Sequence, residues 1–249
     1  LIPVLAHQWP DYRQRLRAVA ELSHESHELA EATAIETIAT LQPEEERAGW
    51  SLSVALFTNL TPLKQKNILR YWPEIKGLDA PGAKIINEVL TALIDARKDS
   101  SPKVSTGDGQ YCRFRDRLYL LKVSKEFNAS INQQQDVIWN TDNPIRLSDG
   151  SHLTVEQTVG DGLRAELAPA LSVTTRKGGE RCKPAGRGHS NSLKKLLQEF
   201  NVEPWWRDRA PLLFIDQQLV AVADFWICDG WQAQPGEKSI KIHWHTNSL

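Results

Sequence analysis

Ser192-Leu193-Lys194-Lys195-Leu196-Leu197-Gln198-Glu199-Phe200, followed after Asn201 by Val202-Glu203-Pro204-Trp205-Trp206-Arg207-Asp208-Arg209-Ala210-Pro211-Leu212-Leu213-Phe214, decides the fold class of this chain. The first stretch has the leucine spacing of a short amphipathic helix. The second is an aromatic turn, bracketed by Pro204 and Pro211, that runs into an apolar strand. This is the one convincing helical pattern beyond residue 137. Around it, residues 137–139, 153–159, 171–175, 212–215, 219–223, 225–228 and 240–244 read as short strands. One helix among many short strands predicts a compact α+β unit with an antiparallel sheet over 137–249.

Working toward the N-terminus, residues 125–136 are polar (Asn128, Asn132, Gln133, Gln134, Gln135) and form the preferred domain boundary. Residues 104–123 are strand-like, with Gly107-Asp108-Gly109 as a loop and Arg115-Asp116-Arg117 as a hairpin turn. Before them, Pro81 starts one helix and Thr61-Pro62 cap and start another. The predicted small helical domain covers 43–125 and ends in the β-hairpin. From Asp11 to about Leu41 neither glycine nor proline interrupts, and Leu16, Val19, Leu22, Leu29, Ile35 and Ile38 fall at helical spacing. A long helix over 1–42 follows, on the order of 45 Å for thirty residues.

At 41% hydrophobic and 24% charged residues the chain has ordinary globular composition, and its length suits two domains better than one. No apolar run has spanning length, so no membrane role is expected. Cys112, Cys182 and Cys228 lie far apart with no Cys-x-x-Cys pair. Neither a zinc site nor a disulfide is expected, which fits a reducing, cytoplasmic setting.

The charge is concentrated. Between Arg176 and Lys195 stand Arg176, Lys177, Arg181, Lys183, Arg187, Lys194 and Lys195 against a single acid, Glu180, in a chain of net charge −1. Gly178, Gly179, Gly186 and Gly188 leave backbone N–H groups able to approach an anion, and a helix N-terminus near Asn191 or Ser192 adds positive potential. Arg207 and Arg209 extend the patch. Trp205 is expected in the core, whereas an exposed Trp206 would stack on a base or ribose. Arg113, Arg115 and Arg117, with Lys122 and Lys125, form a second basic cluster. An RNA-facing hairpin and one merely kept soluble by charge remain equally open.

Patterns for chemistry are absent. There is no Gly-x-Ser-x-Gly elbow and no Walker lysine-serine pair, so no catalytic or cofactor-binding residue is assigned. His24 with His27, and His243 with His245, read as surface, and no metal site is assigned.

The order Arg176-Lys177-Gly178-Gly179-Glu180, then a Leu-Lys helix, then the Pro-Trp-x-Arg turn and a Pro-Leu-Leu strand, resembles the C-terminal region of the tRNA(Ile)-lysidine synthetase family. Glu203 stands where the family has a first proline. Ile2-Pro3-Val4-Leu5 with Trp9-Pro10 is similar to the family's passage from catalytic domain to linker helix, so the resemblance spans nearly the whole chain. It implies an ATP-dependent ligase that adenylates a wobble cytidine of tRNA(Ile) and lets free lysine displace AMP, with magnesium at the phosphates. The family's Ser-Gly-Gly-x-Asp-Ser loop does not occur here. Together with an opening Leu1 and the lack of methionine, this implies a piece of a longer protein, with no cofactor of its own and no activity alone. The resemblance implies tRNA recognition by Arg176, Lys177, Arg181, Lys194, Lys195, Arg207 and Arg209, with Arg113 and Arg115. Whether a homodimer forms through the long helix stays open. Two rivals remain: a stand-alone RNA-binding adaptor and a protein-interaction scaffold.

Overall fold

The computed structural model describes residues 7–47, 49–94, 102–123, 136–167 and 171–246. They gather into two compact units, one of Leu1–Glu46 with Trp50–Leu121 and one of Arg47–Gly49 with Lys122–Leu249. The polar stretch read as a boundary lies almost wholly outside the described residues.

The first unit starts with α1 (Tyr12–Ala39), a single uninterrupted helix. The helix read from its periodicity is present, but its apolar residues are largely outside the core. Leu16, Val19, Leu22 and Leu29 are all at least 60% exposed, and only Ala34 and Thr37 are buried. The C-terminal part packs on α3 (Pro62–Ile75), where Asn67 Nδ2 donates to Ala30 O (2.8 Å) and Tyr71 Oη meets His27 Nδ1 (3.0 Å). Thr61 Oγ1 caps α3 by accepting from Lys64 N, with Pro62 at the first position, where its missing N–H costs nothing. The short α2 (Val54–Thr58) is capped in the same way by Ser53, and α4 (Ala83–Glu88) continues as a π-helical turn over Val89–Ile94.

The expected hairpin is part of a larger sheet. Strands β1 (Glu44–Glu46), β2 (Gly49–Ser53), β3 (Lys103–Ser105), β4 (Gly109–Phe114) and β5 (Arg117–Lys122) lie in the order β1-β2-β5-β4-β3. β1 and β2 extend the sheet beyond the expected hairpin: Glu44-Glu45-Glu46 carries no apolar alternation, which an edge strand does not need, and β2, only five residues long, lies inside the sheet between β1 and β5. Helices and sheet close over Leu52, Phe57, Ile68, Leu69, Trp72, Val89, Tyr111, Leu118 and Leu120. Cys112 is buried beside this core, and desolvation pushes its thiol up to about 12.

The second unit holds two antiparallel sheets. One runs β15 (Trp226–Ile227), β14 (Gln218–Val222), β13 (Leu212–Ile215), β10 (Leu171–Thr174), β6 (Val137–Trp139); the other runs β7 (Ile145–Arg146), β8 (His152–Val159), β16 (Lys238–His245), β9 (Leu163–Arg164). A two-stranded ribbon, β11 (Arg181–Cys182) with β12 (Asn191–Ser192), leads into α5 (Leu193–Glu199), which buries Leu193, Leu196 and Leu197.

Two expectations are corrected here. Trp206 is the core residue, 2% exposed and edge-on to Trp244 at 5.2 Å, while Trp205 is half-buried. The segment winds in helical turns, with Trp206 N donating to Glu203 O and Ala210 N to Trp206 O. A four-residue spacing therefore turns Val202, Trp206 and Ala210 inward together. The cysteines are not all free either: Cys182 and Cys228 form a disulfide joining β11 to the end of β15. Their separation of 46 residues matches no local motif; tertiary pairing brings them together, through the Pro184–Cys228 bridge and the bonds from Ala185 N to Ile227 O and from Asp229 N to Lys183 O.

The buried hydroxyl of Tyr111 donates to Leu69 O at 2.7 Å, tying β4 to α3. Tyr111→Phe orphans that carbonyl and should lower stability by about 1–2 kcal/mol, read as a reduced urea midpoint at unchanged slope.

Candidate nucleic-acid interface

Residues 176–192 build a loop organised from within. Gly178 and Gly179 take φ of +98° and +90°, a left-handed backbone that turns successive N–H groups to one side. That nest is filled by the loop's own acid. Glu180 Oε1 accepts from Lys177 N (2.5 Å) and Gly178 N (2.7 Å), and Arg176 Nε lies 3.8 Å from Oε2. The expectation that these N–H groups await an external anion is thereby overturned. The main chain of Glu180 anchors the next element, its carbonyl accepting from Leu193 N at 2.8 Å, and Ser192 Oγ caps α5 through Lys195 N.

The cations around the loop are largely matched to acids distant in sequence. Arg176 Nη1 reaches Asp208 (2.9 Å), Lys177 Nζ Asp136 (2.9 Å), Lys183 Nζ Asp229 (2.7 Å), and Arg187 pairs with Glu199, which also lies 3.7 Å from Lys195 Nζ. The exposed Arg181 donates to Ser190 O, and its pairing with Ser192 sets it beside the start of α5, next to Lys194 and Lys195. Lys194 is exposed with no ion-pair partner among the described residues. Arg181, Lys194 and Lys195 are thus brought together. Arg207 is half-buried and braces the aromatic turn, its Nε donating to Val202 O at 2.8 Å.

Two assigned arginines lie where RNA contact is physically unfavourable. Arg209 is 6% exposed; burial lowers the pKa of its guanidinium, opposed by Asp149 and Asp208. Arg113 is equally buried, and its guanidinium donates to the carbonyls of Leu93 (3.0 Å), Ile94 (2.6 Å) and Arg115 (3.3 Å), satisfying the end of the π-helical turn. Arg115 differs. It occupies the hairpin turn at φ +56°, exposed, with its guanidinium over the Phe114 ring. The sequence reading passed over Lys64, Lys66 and Arg70 on α3, which are exposed and have no ion-pair partner among the described residues. Their signal was their placement on the polar side of a helix whose other residues, Ile68, Leu69 and Trp72, are core.

Family models match both units: the TilS substrate binding domain over residues 52–119 and the TilS substrate C-terminal domain over residues 171–244. The chain belongs to the TilS family. Relatives named tRNA(Ile)-lysidine synthase are similar along almost all of it. The protein of Coxiella burnetii is 30% identical over 95% of this chain and 51% of its own length. That of Methylococcus capsulatus is 29% identical over 98% and 55%, and that of Alkalilimnicola ehrlichii 30% identical over 96% and 52%. The chain thus spans about half the length of the curated relatives it matches. A crystal structure of a TilS C-terminal domain aligns over 46% of this chain and 100% of its own, with 18% identity and a TM-score of 0.36.

The TilS substrate C-terminal domain contains the whole basic loop, α5 and the aromatic turn. The TilS substrate binding domain contains Arg113, Arg115 and the α3 cations. Within the latter, Arg113→Ala should cost about 2–3 kcal/mol in a urea titration, whereas Arg115→Ala should stay within about 0.5 kcal/mol. Equal stability of the two variants would refute the bracing role of Arg113.

Proposed function

We propose that this chain is the tRNA-recognition portion of a tRNA(Ile)-lysidine synthase, which uses ATP to attach free lysine to the wobble cytidine of tRNA(Ile). The observation that carries this reading is the match of both units to TilS substrate domains, with relatives of one name along nearly the full length. That name lends no support to a stand-alone adaptor or a scaffold. We divide the chain into a linker helix over 1–42, a tRNA-recognition domain over 43–125 and a C-terminal tRNA-binding domain over 137–249. The sequence contains no Ser-Gly-Gly-x-Asp-Ser loop, so the chain alone is inactive in this reading, and ATP and magnesium act on other polypeptide. Among the described residues no helix is long and apolar enough to cross a membrane, and a cytoplasmic location is part of the proposal.

A-form stems expose phosphates and 2′-hydroxyls more readily than base edges, so recognition by cations on folded units suits a tRNA body. Surface ion pairs contribute only about 0–1 kcal/mol, so exposed Lys177 and Lys195 exchange a carboxylate for a phosphate at little cost. Arg181, Lys194, Lys195 and Lys177 form the proposed contact set in the second unit, with Arg115 in the first. Arg176 and Arg207 hold the loop and turn in shape, and Arg113 and Arg209 are withdrawn from the interface.

Filter-binding titrations with tRNA(Ile) at several salt concentrations test this reading. Affinity should fall steeply with salt, and Lys194→Ala with Lys195→Ala should reduce the log–log slope by about 1–2 while leaving the unfolding curve in place. Salt-insensitive binding, or a double variant with the parent's curve, contradicts the assignment.

A further inference from the structure

A cleft of about 390 Å³ opens in the second unit between the β8–β9 turn and the β14–β15 connection. Its lining includes Asp161, Asp224, Trp226, Gln232, Lys241 and Ile242. The volume falls in the range of small-ligand sites, and the proposed contact set uses none of these residues. Gly162 builds one wall. Its φ is +121°, and a Cβ there would overlap the Ile240 carbonyl, so only glycine lets the turn bring Asp161 this close to β16.

The chemistry of the lining narrows the occupant. Two carboxylates disfavour a phosphate. Each already has a cation: Lys241 Nζ lies 2.9 Å from Asp161, and Arg47 Nη2 donates to both oxygens of Asp224 at 2.8 and 2.6 Å. A cationic ligand would therefore compete with a built-in partner, and a neutral N–H donor would not. No group of three or more metal-ligating side chains occurs among the described residues. Trp226 supplies an aromatic wall fixed from behind, stacked on Phe200 at 4.5 Å and 21°, with the Arg187 guanidinium 4.7 Å from the Phe200 ring centre. A ring held in place by its neighbours loses little entropy when a ligand stacks on it. The Trp226 Nε1 donor has no acceptor among the described residues.

We propose that this cleft holds one unpaired, amino-bearing nucleobase, stacked on Trp226, with Asp161 accepting from its exocyclic amino group. Carboxylates read such groups in nucleic acids, and aromatic side chains stack on splayed bases. The inference rests on the reading of this chain as an RNA-recognition module and adds a base-selective contact to the phosphate contacts. Gln232 and Lys241 offer donors for ring nitrogens or carbonyls of the same base.

Heteronuclear spectra of the full chain give the test through the indole N–H signal of Trp226, identified by its loss in Trp226→Phe. Titration with GMP, CMP and AMP should move that signal. UMP, which lacks an amino group, should bind at least about fivefold more weakly, and inorganic phosphate should leave it in place. Asp161→Asn, at an exposed carboxylate, should weaken the amino-bearing nucleotides about tenfold. The proposal is overturned if no nucleotide moves the signal, if phosphate moves it equally, or if Asp161→Asn binds like the parent. Filter binding of tRNA(Ile) on the same samples separates the two levels. Steep salt-dependent tRNA binding without a nucleotide response sinks the cleft alone. A nucleotide response without tRNA binding sinks the tRNA-recognition reading.

Discussion

The carboxylate of Glu180 is the interaction on which the basic surface depends. Seven cations within twenty residues repel one another, and a glycine-rich loop has little stiffness to resist. Glu180 counters both effects: one oxygen fixes two backbone N–H groups, the other faces Arg176, and its carbonyl holds the first residue of α5. Cation positions at Arg181, Lys194 and Lys195 follow from that anchor, because the β11–β12 pairing and the Ser192 cap sit directly on it. The loop presents a shape assembled before any ligand arrives, which lowers the ordering cost of binding.

How much was legible follows from the range of each determinant. Helix caps and apolar periods are local, so Thr61-Pro62, Ser192 and the α5 leucines read correctly, as did the long strands β8 and β16. Side-chain destinations depend on tertiary packing. Trp205 and Trp206 are adjacent and chemically alike, and only the helical winding of the turn decides which one meets Trp244. The disulfide, the β1–β2 edge and the burial of Arg113 belong to the same class, each set by residues tens of positions away.

Charge patterning was legible as composition and illegible as availability. Counting cations between Arg176 and Lys195 identified the loop, yet the counter-acids Asp136, Asp208, Asp229 and Glu199 lie outside that window. The α3 cations show the converse. Spread along a helix they form no run, and Lys64, Lys66 and Arg70 nevertheless keep their side chains exposed. A linear count measures charge density along the chain, whereas a phosphate responds to charge that remains after folding.

That distinction bears on the proposed reading, in which a chain of net charge −1 serves a polyanion. A surface pair with a carboxylate leaves little net stabilisation, and both partners stay hydrated. A phosphate ester in the same place adds release of condensed counterions, a gain that a protein carboxylate cannot supply. In the proposed reading the acids beside Lys177 and Lys195, Asp136 and Glu199, act as place-holders that yield where RNA reaches, while Arg176 stays with Glu180 and Asp208 and shapes the loop. Buried Arg113 and Arg209 cannot take part in such an exchange, because moving either guanidinium would expose core, and moving that of Arg113 would also leave the Leu93 and Ile94 carbonyls without their donor. In the proposed reading, the depth of each arginine, more than its place in a basic run, sets whether it holds the fold together or can meet the nucleic acid.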